Sequence, residues 1–225
     1  MRKTILMAAL AIAAFAQFAA PAARASDQQN LVEKSKLVID DMKRDKEFGN
    51  ARELLQRARG VLIVPSLVKG GFFVGGEGGE GVLLSRKGAR SWSDPAFYTL
   101  ASASFGLQIG IEQAELVLII MNEKALNAVM QDEFKIGAQA GVAIATLGST
   151  AEASTTSNLN ADIVVWSSSS GAYAGITLNG SIIKPRHEWD AAYYGHATTT
   201  SDIVVKESAK NAGANGLRSE LGSIS

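Results

Sequence analysis

A run of six apolar residues, Leu116–Met121, constrains the fold of this chain more than any other stretch. A short and wholly apolar run is typical of a strand covered on both faces, at the centre of a sheet. Residues 105–112 before it alternate apolar with small or polar side chains, as half-buried antiparallel strands do. We therefore predict a hairpin that turns at residues 113–115. A single buried helix is disfavoured because Gly106 and Gly110 would each cost it about 1 kcal/mol.

The first 25 residues have the composition of a secretory signal peptide. A short basic start precedes the apolar segment Thr4–Ala20, and Ala23-Arg24-Ala25 forms an Ala-x-Ala cleavage pattern. The apolar segment is short for a membrane span, which needs about 20 residues. We expect cleavage before Ser26 and export to the periplasm or out of the cell.

Composition excludes several classes of function. The chain of 225 residues contains no cysteine, so it has no disulfide, no Cys-ligated metal, no thiol nucleophile and no lipoprotein anchor. The predicted leader carries three basic residues and no acidic one. Its removal leaves 19 basic against 22 acidic residues, a net charge of −3. A mildly acidic chain is a poor candidate for binding nucleic acid.

Hydrophobic periodicity predicts an α+β domain over residues 26–206, mostly antiparallel sheet that curls toward a barrel or sandwich. Two amphipathic helices occupy residues 27–59 and a β-rich body occupies residues 60–206. The body holds two short helices, Asn122–Gln131 capped by Asn122 and Thr200–Lys206 capped by Ser201, and a polar and aromatic turn at residues 190–196. A polar loop is expected at Gly148–Asn160, followed by strands at Asp162–Ser167 and Gly171–Ile183. The Gly/Asn/Ser-rich residues 207–225 are expected to form a flexible tail. Five residues form one side of the first amphipathic helix: Leu31, Ser35, Val38, Ile39 and Met42.

The glycine cluster Gly75–Gly81 permits two interpretations. A phosphate-binding loop would require a following Gly-Lys-Ser/Thr and a helix, and neither is present. The alternative is a bulged, strongly curved strand or hairpin, preceded by a strand that ends at Pro65.

The pattern Gly-x-Gln-x-Gly occurs at residues 106–110 and again at 137–141, within a second alternating stretch from Phe134 to Ile144. The two small faces would suit close packing of a helix or a shallow ligand surface. Glycine also lets a sheet coil, which favours packing, and both interpretations remain open.

No catalytic or metal-binding arrangement emerges. His187 and His196 are the only histidines, and their spacing matches no zinc motif. The close pair Glu77 and Glu80 has no other feature of a glycosidase site. We predict no enzyme activity, no cofactor and no metal.

Five ordered blocks make the chain resemble the SYLF domain, the Ysc84-type family once catalogued as a domain of unknown function. The resemblance covers about residues 51–206. The chain departs from the family where Ala-x-Gly-Pro-x-Gly is usual and Ala145-Thr146-Leu147-Gly148 stands instead. The blocks are Ala58-Arg59-Gly60-Val61, Gly75–Gly81, Trp92-Ser93-x-Pro95, Gly106-Leu107-Gln108-Ile109-Gly110 before Met121-Asn122, and Ala174-Gly175-Ile176-x-Leu178-x-Gly180-Ser181 before Tyr193-Tyr194-Gly195.

The resemblance implies a β-rich domain that binds membrane lipid, in eukaryotic members phosphoinositides, through an N-terminal helix and basic residues; some members bind actin. For an exported bacterial member we expect affinity for anionic phospholipid and a peripheral position at the membrane. The basic residues that match this role are Lys43, Arg44, Arg52, Arg57, Arg59, Lys69, Arg86 and Lys87.

Two further hypotheses stay open. The basic residues of the N-terminal helices could be neutralised by Asp40, Asp41, Asp45 and Glu53, which would leave an ordinary solvated surface. The chain would then be an envelope module that recognises a protein partner. An uncharacterised hydrolase is the third hypothesis, which a Ser/His/Asp geometry in the folded chain would support.

Overall fold

The computed structural model describes residues 27–44, 48–71, 74–105, 110–137, 144–146, 161–168, 178 and 180–224. The helices are α1 (27–42), α2 (Phe48–Arg57), α3 (Glu123–Val129), α4 (His187–Tyr194), α5 (Thr200–Val204) and α6 (Asn215–Gly222), with a 3-10 turn at Ala212–Ala214. The strands are β1 (Gly60–Gly71), β2 (Val74–Ser85), β3 (Ala96–Phe105), β4 (Gly110–Ile120), β5 (Phe134–Lys135), β6 (Ile144–Thr146), β7 (Ile163–Ser167) and β8 (Ile182–Pro185).

All eight described strands belong to one sheet, in the order β5-β8-β3-β2-β1-β4-β7-β6. Every neighbouring pair is antiparallel except β6 and β7, which are parallel. A flat sheet would place its edges about 34 Å apart. The chain from Lys135 on one edge to Ile144 on the other spans at most about 32 Å. The sheet is therefore curled, as a half-barrel, and the predicted α+β class is confirmed.

The central strands are buried on both faces. Val61 and Ile63 of β1 lie in one hydrophobic cluster with α1, α2 and α6. Leu62 and Val64 lie in a second cluster, on the opposite face, with α3 and α5. A strand between two apolar layers must be apolar at successive positions, which explains the run from Leu116 to Ile120 in β4. The predictions of a core strand here and of two N-terminal helices are confirmed.

The predicted hairpin at residues 113–115 is wrong. Gln113 and Ala114 lie inside β4, opposite Val68 and Leu67 of β1. β3 and β4 are not neighbours, because β2 and β1 lie between them. The polar residues at this point mark the place where β4 leaves the covered part of the sheet, and they do not mark a turn.

Pro65 does not end β1, contrary to our prediction. Ile63 lies opposite Val82 and Val68 lies opposite Gly78, so β1 uses one residue more than β2 over this interval. The register with β4 shifts in the same way. This is a β-bulge at residues 65–66, a position where a strand tolerates proline. It adds twist and curl to the sheet.

The bulge explains part of the glycine cluster. A Cβ atom on Gly79 would lie 2.5 Å from the carbonyl oxygen of Ser66, and one on Gly81 would lie 2.6 Å from that of Ile63. No side chain fits at either position, because the bulged backbone of β1 approaches too closely. The strand interpretation of the cluster, which forms β2, is confirmed.

The C-terminal residues are ordered, and the prediction of a flexible tail is wrong. Leu217, Leu221 and Ile224 are buried against the layer that holds α1 and α2. The buried Asp94 carboxylate accepts a hydrogen bond from the Asn211 backbone N–H at 2.9 Å and lies 3.3 Å from the Arg218 guanidinium. Tertiary contacts therefore fix a segment whose own composition favours disorder.

Two local predictions also need correction. The stretch predicted as a turn at residues 190–196 belongs mostly to α4, which ends at Gly195 in the left-handed conformation, with φ of 78°. Helix α5 is capped by Thr199, not Ser201, through a capping box with Asp202. The cap of α3 by Asn122 is confirmed.

Several predicted features lie outside the described residues. They include the leader, the polar segment 148–160, the strand residues 171–177 and most of the two Gly-x-Gln-x-Gly patterns. The second alternating stretch is described at its ends alone, in β5 and β6, which lie at opposite edges of the sheet.

Two neighbouring glycines test the account of the bulge. Gly79→Ala should lower the free energy of unfolding by about 2 kcal/mol or more, since the new methyl group meets backbone. Gly78→Ala should leave stability unchanged or higher, because its Cβ meets nothing closer than the Leu100 carbonyl oxygen at 3.9 Å. Chemical denaturation of both variants measures the difference. Equal effects would contradict the proposed close approach.

Candidate functional site

Helix α2 presents basic residues to solvent because its other side is buried. Ala51, Leu54 and Leu55 pack into the hydrophobic layer. Arg52 and Arg57 are exposed, and neither makes an ion pair or hydrogen bond within the described part of the chain. Both were predicted as site residues, and the structure leaves both side chains accessible.

Arg86 is held rigidly at the end of α2. Its guanidinium donates to the backbone carbonyls of Leu55, of Ala58 at 3.0 Å and of Ala89 at 2.6 Å. It also stacks over the Trp92 ring, 4.4 Å from the centroid. The Leu55 and Ala58 carbonyls lie at the C-terminus of α2, where the helix dipole favours a cation. Partial burial lowers the pKa of Arg86, but a guanidinium stays charged at neutral pH.

Lys87 and Arg90 lie on the turn between β2 and β3. The Lys87 ammonium donates to the Val205 carbonyl at 2.9 Å, at the end of α5. The Arg90 side chain is exposed, and its backbone carbonyl abuts Gly222. Our prediction did not include Arg90. The basic spacing Arg86-Lys87-x-x-Arg90 on a turn was the available signal.

These cations share one end of the sheet. Arg59 precedes β1, and the Arg86 backbone N–H donates to the Arg59 carbonyl at 2.9 Å. Glu123 lies 3.6 Å from the Arg59 guanidinium, and Glu53 is exposed on α2. Six cations against these two carboxylates leave a local charge of +4. We call this surface the arginine end; its cations are Arg52, Arg57, Arg59, Arg86, Lys87 and Arg90.

Three of the predicted basic residues do not belong to the arginine end. The Lys43 ammonium pairs with Glu220 and donates to Ser223 Oγ at 2.8 Å. Arg44 pairs with Asp41 at 2.6 Å. Lys69 lies nine residues along β1 from Gly60, about 30 Å away.

Backbone register places Lys69 between two acidic residues. It lies opposite Glu77 of β2 and opposite Glu112 of β4. The eight predicted residues therefore do not form one surface.

The buried carboxyl group of Asp190 has a strongly raised pKa. Its Oδ1 accepts the Phe97 backbone N–H at 2.8 Å. Burial is the main reason that the pKa of Asp190 rises to about 7, and the nearby Glu188 raises it further. The half-exposed His187 ring lies 3.7 Å from Asp190 Oδ2 and 3.9 Å from Asp132.

Asp190 holds α4 on β3, because its carboxyl group accepts the Phe97 backbone N–H. Across the described ranges, no set of three His, Cys, Asp or Glu side chains converges as a metal site would require. Over the same part of the chain, no helix is long and apolar enough to cross a bilayer.

Comparison with known proteins identifies the family. The model of the family described as "Ysc84: Las17-binding protein actin regulator" matches residues 101–224, more than half of the chain. The chain belongs to the Ysc84 family. The resemblance to the SYLF domain is thereby confirmed.

The curated relatives of this Ysc84 member are longer proteins. SH3 domain-containing YSC84-like protein 1 of Bos taurus is 30% identical over 172 residues, which cover 76% of this chain and 50% of the relative. LAS seventeen-binding protein 3 of Saccharomyces cerevisiae is 29% identical over 177 residues, 76% of this chain and 38% of the relative. The chain thus spans about half or less of these relatives.

The raised pKa of Asp190 predicts a pH-dependent stability. The folded state holds this proton more tightly than the unfolded state, whose carboxyl titrates near pH 4. The stabilising contribution of the protonated form is complete below that pH and is lost as pH rises through about 7. Asp190→Asn keeps the acceptor for Phe97 and removes the titration.

Thermal unfolding of the wild type and Asp190→Asn from pH 4 to pH 8 measures this effect. The variant should become progressively more stable than the wild type as pH rises. A stability difference that does not change with pH would contradict the assignment.

Proposed function

We propose that this Ysc84 member is a non-catalytic binding protein that attaches to anionic phospholipid surfaces through the arginine end. The observation that carries the proposal is the local charge of +4 among exposed and partly buried side chains at one end of the sheet. Each Lys or Arg close to an anionic membrane contributes about 1 kcal/mol. Four net charges on one surface are enough for reversible attachment.

The geometry of the arginine end supports electrostatic attachment at the surface. Arg86 and Lys87 are anchored by backbone carbonyls, so their charges are ordered before binding. Val205, with 48% of its surface exposed, lies beside Lys87 and is the one large apolar side chain exposed there among the described residues. A single valine gives little insertion. We infer a peripheral protein, exported as its leader predicts, whose attachment weakens as salt rises.

A protein partner is the second candidate. The relatives named as binders of LAS seventeen, and the description of the family as a regulator of actin, favour it. On this hypothesis the chain recognises a protein and has no intrinsic affinity for lipid.

Co-sedimentation with vesicles tests the first candidate. The wild type should bind vesicles that contain anionic phospholipid, should not bind neutral vesicles, and should be released by high salt. Arg52→Glu combined with Arg57→Glu should weaken binding by at least about 30-fold, or about 2 kcal/mol. Neither residue has a partner within the described chain, so the fold should be retained.

The matched control makes the same change of charge elsewhere. Lys135→Glu combined with Lys184→Glu alters exposed residues on β5 and β8, three and two strand positions from β2. This variant should retain most of the binding. Equal loss in both variants would show a dependence on net charge alone. If the wild-type protein binds no anionic vesicle, the lipid proposal fails and the protein-partner candidate remains.

A further inference from the structure

We propose that the groove between α1 and the glycine face of the sheet binds a single-chain anionic amphiphile. Its acid group would lie at Lys34, and its hydrocarbon chain would lie along the sheet. This site is separate from the arginine end, so either proposal can fail alone. The groove has a volume of about 440 Å³, within the usual range of ligand sites. Its lining residues are Leu31, Lys34, Pro65, Ser66, Val68, Gly78, Gly79, Glu80 and Thr99.

A second recess extends the groove toward α4. It measures about 340 Å³ and shares Leu31, Lys34 and Glu80 with the first. Trp189 lies on its wall. The two spaces therefore adjoin along one side of α1, which leaves room for a chain molecule.

The fold itself does not require a glycine at residue 78, in the floor of the groove. Gly78 is exposed and lacks a positive φ, and a Cβ there would meet nothing closer than 3.9 Å. Glycine within a strand costs about 0.5–1 kcal/mol relative to alanine. Gly79, by contrast, is required by the bulge. The absence of a side chain at residue 78 leaves space for a ligand to lie directly on β2.

The residues in register with Gly78 extend this floor across four strands. Val68 of β1 and Ala101 of β3 lie opposite Gly78, and Gln113 of β4 lies opposite Val68. All four are exposed on the same face of the sheet. Together with Leu31 and Pro65, Val68 supplies apolar contact for a hydrocarbon chain.

Lys34 provides the groove with a cation that can bind an anionic group. The Lys34 ammonium is exposed and has no ion-pair or hydrogen-bond partner among the described residues. Glu80, the carboxylate on the opposite wall, is held 2.7 Å from Arg186, which also pairs with Glu188 at 2.9 Å. Asp27 lies at the far end of the recess, two helical turns or about 10 Å from Lys34. The unpaired ammonium of Lys34 beside an apolar floor can pair locally with one carboxylate or phosphate on an alkyl chain.

Titration calorimetry below the micelle concentration tests the site. Dodecanoate and dodecyl phosphate should bind the purified protein with one-to-one stoichiometry, and dodecanol should not. The two anions represent the two sources of the same chemistry, a free fatty acid and a single-chain phospholipid, and the tighter ligand identifies the source. Lys34→Gln should weaken the binding of both by about tenfold.

Two valine substitutions complete the test. Gly78→Val should abolish binding while unfolding at the same temperature as the wild type or higher, because valine favours strands. Gly76→Val, on the same strand and face but outside the lining, should change affinity less than twofold. Vesicle binding by both variants should equal that of the wild type. Failure of the wild type to bind either anion, or undiminished binding by Gly78→Val, would overturn the proposal.

Discussion

The bulge at residues 65–66 of β1 is the constraint on which the rest of the structure depends. One additional residue brings Val64 and Leu67 to the same face of the strand, and both are buried there. The bulged backbone requires glycine at residues 79 and 81 of the neighbouring strand. Added twist at this point helps the sheet to curl, so that its two edges come within reach of the short connection between them. Beyond the bulge the sheet passes out from under α1, and its face becomes accessible.

This arrangement separates two surfaces with different physical chemistry. The arginine end lies where β1 begins and β2 ends, and its charges act over a Debye length without a shaped cavity. The glycine groove lies about 20 Å further along β2 and offers apolar contact with one charge. The C-terminal residues stabilise the first surface indirectly. Arg218 pairs with the buried Asp94, and Lys43 pairs with Glu220, so α6 fixes the layer that carries α1 and α2.

The sequence predicts those elements whose periodicity reflects burial. Leu116–Met121 identifies a core strand and Asn122 a helix cap, because each signal is local. The strand end at Pro65 could not be predicted, since only the register with β2 and β4 reveals a bulge. Residues 207–224 were missed because Leu217 and Leu221 are too few to indicate an amphipathic helix and depend on tertiary contact.

The candidate site, too, could be predicted from the sequence only in part, because it depends on tertiary contacts. Sequence composition selects basic residues, but pairing decides which of them are available. Glu220 and Asp41 compensate the charges of Lys43 and Arg44, whereas Arg52 and Arg57 have no partner in the described residues. None of these partners could be assigned from spacing alone, except the Asp41–Arg44 pair within one helix.

Hydrogen–deuterium exchange of the protein bound to anionic vesicles tests the central claim most directly. The account predicts that binding slows backbone exchange at residues 52–59 and 86–91, which form the arginine end, and leaves residues 76–80 unchanged. Slower exchange only at residues 76–80, or no slowing at residues 52–59 and 86–91, would contradict attachment through the arginine end.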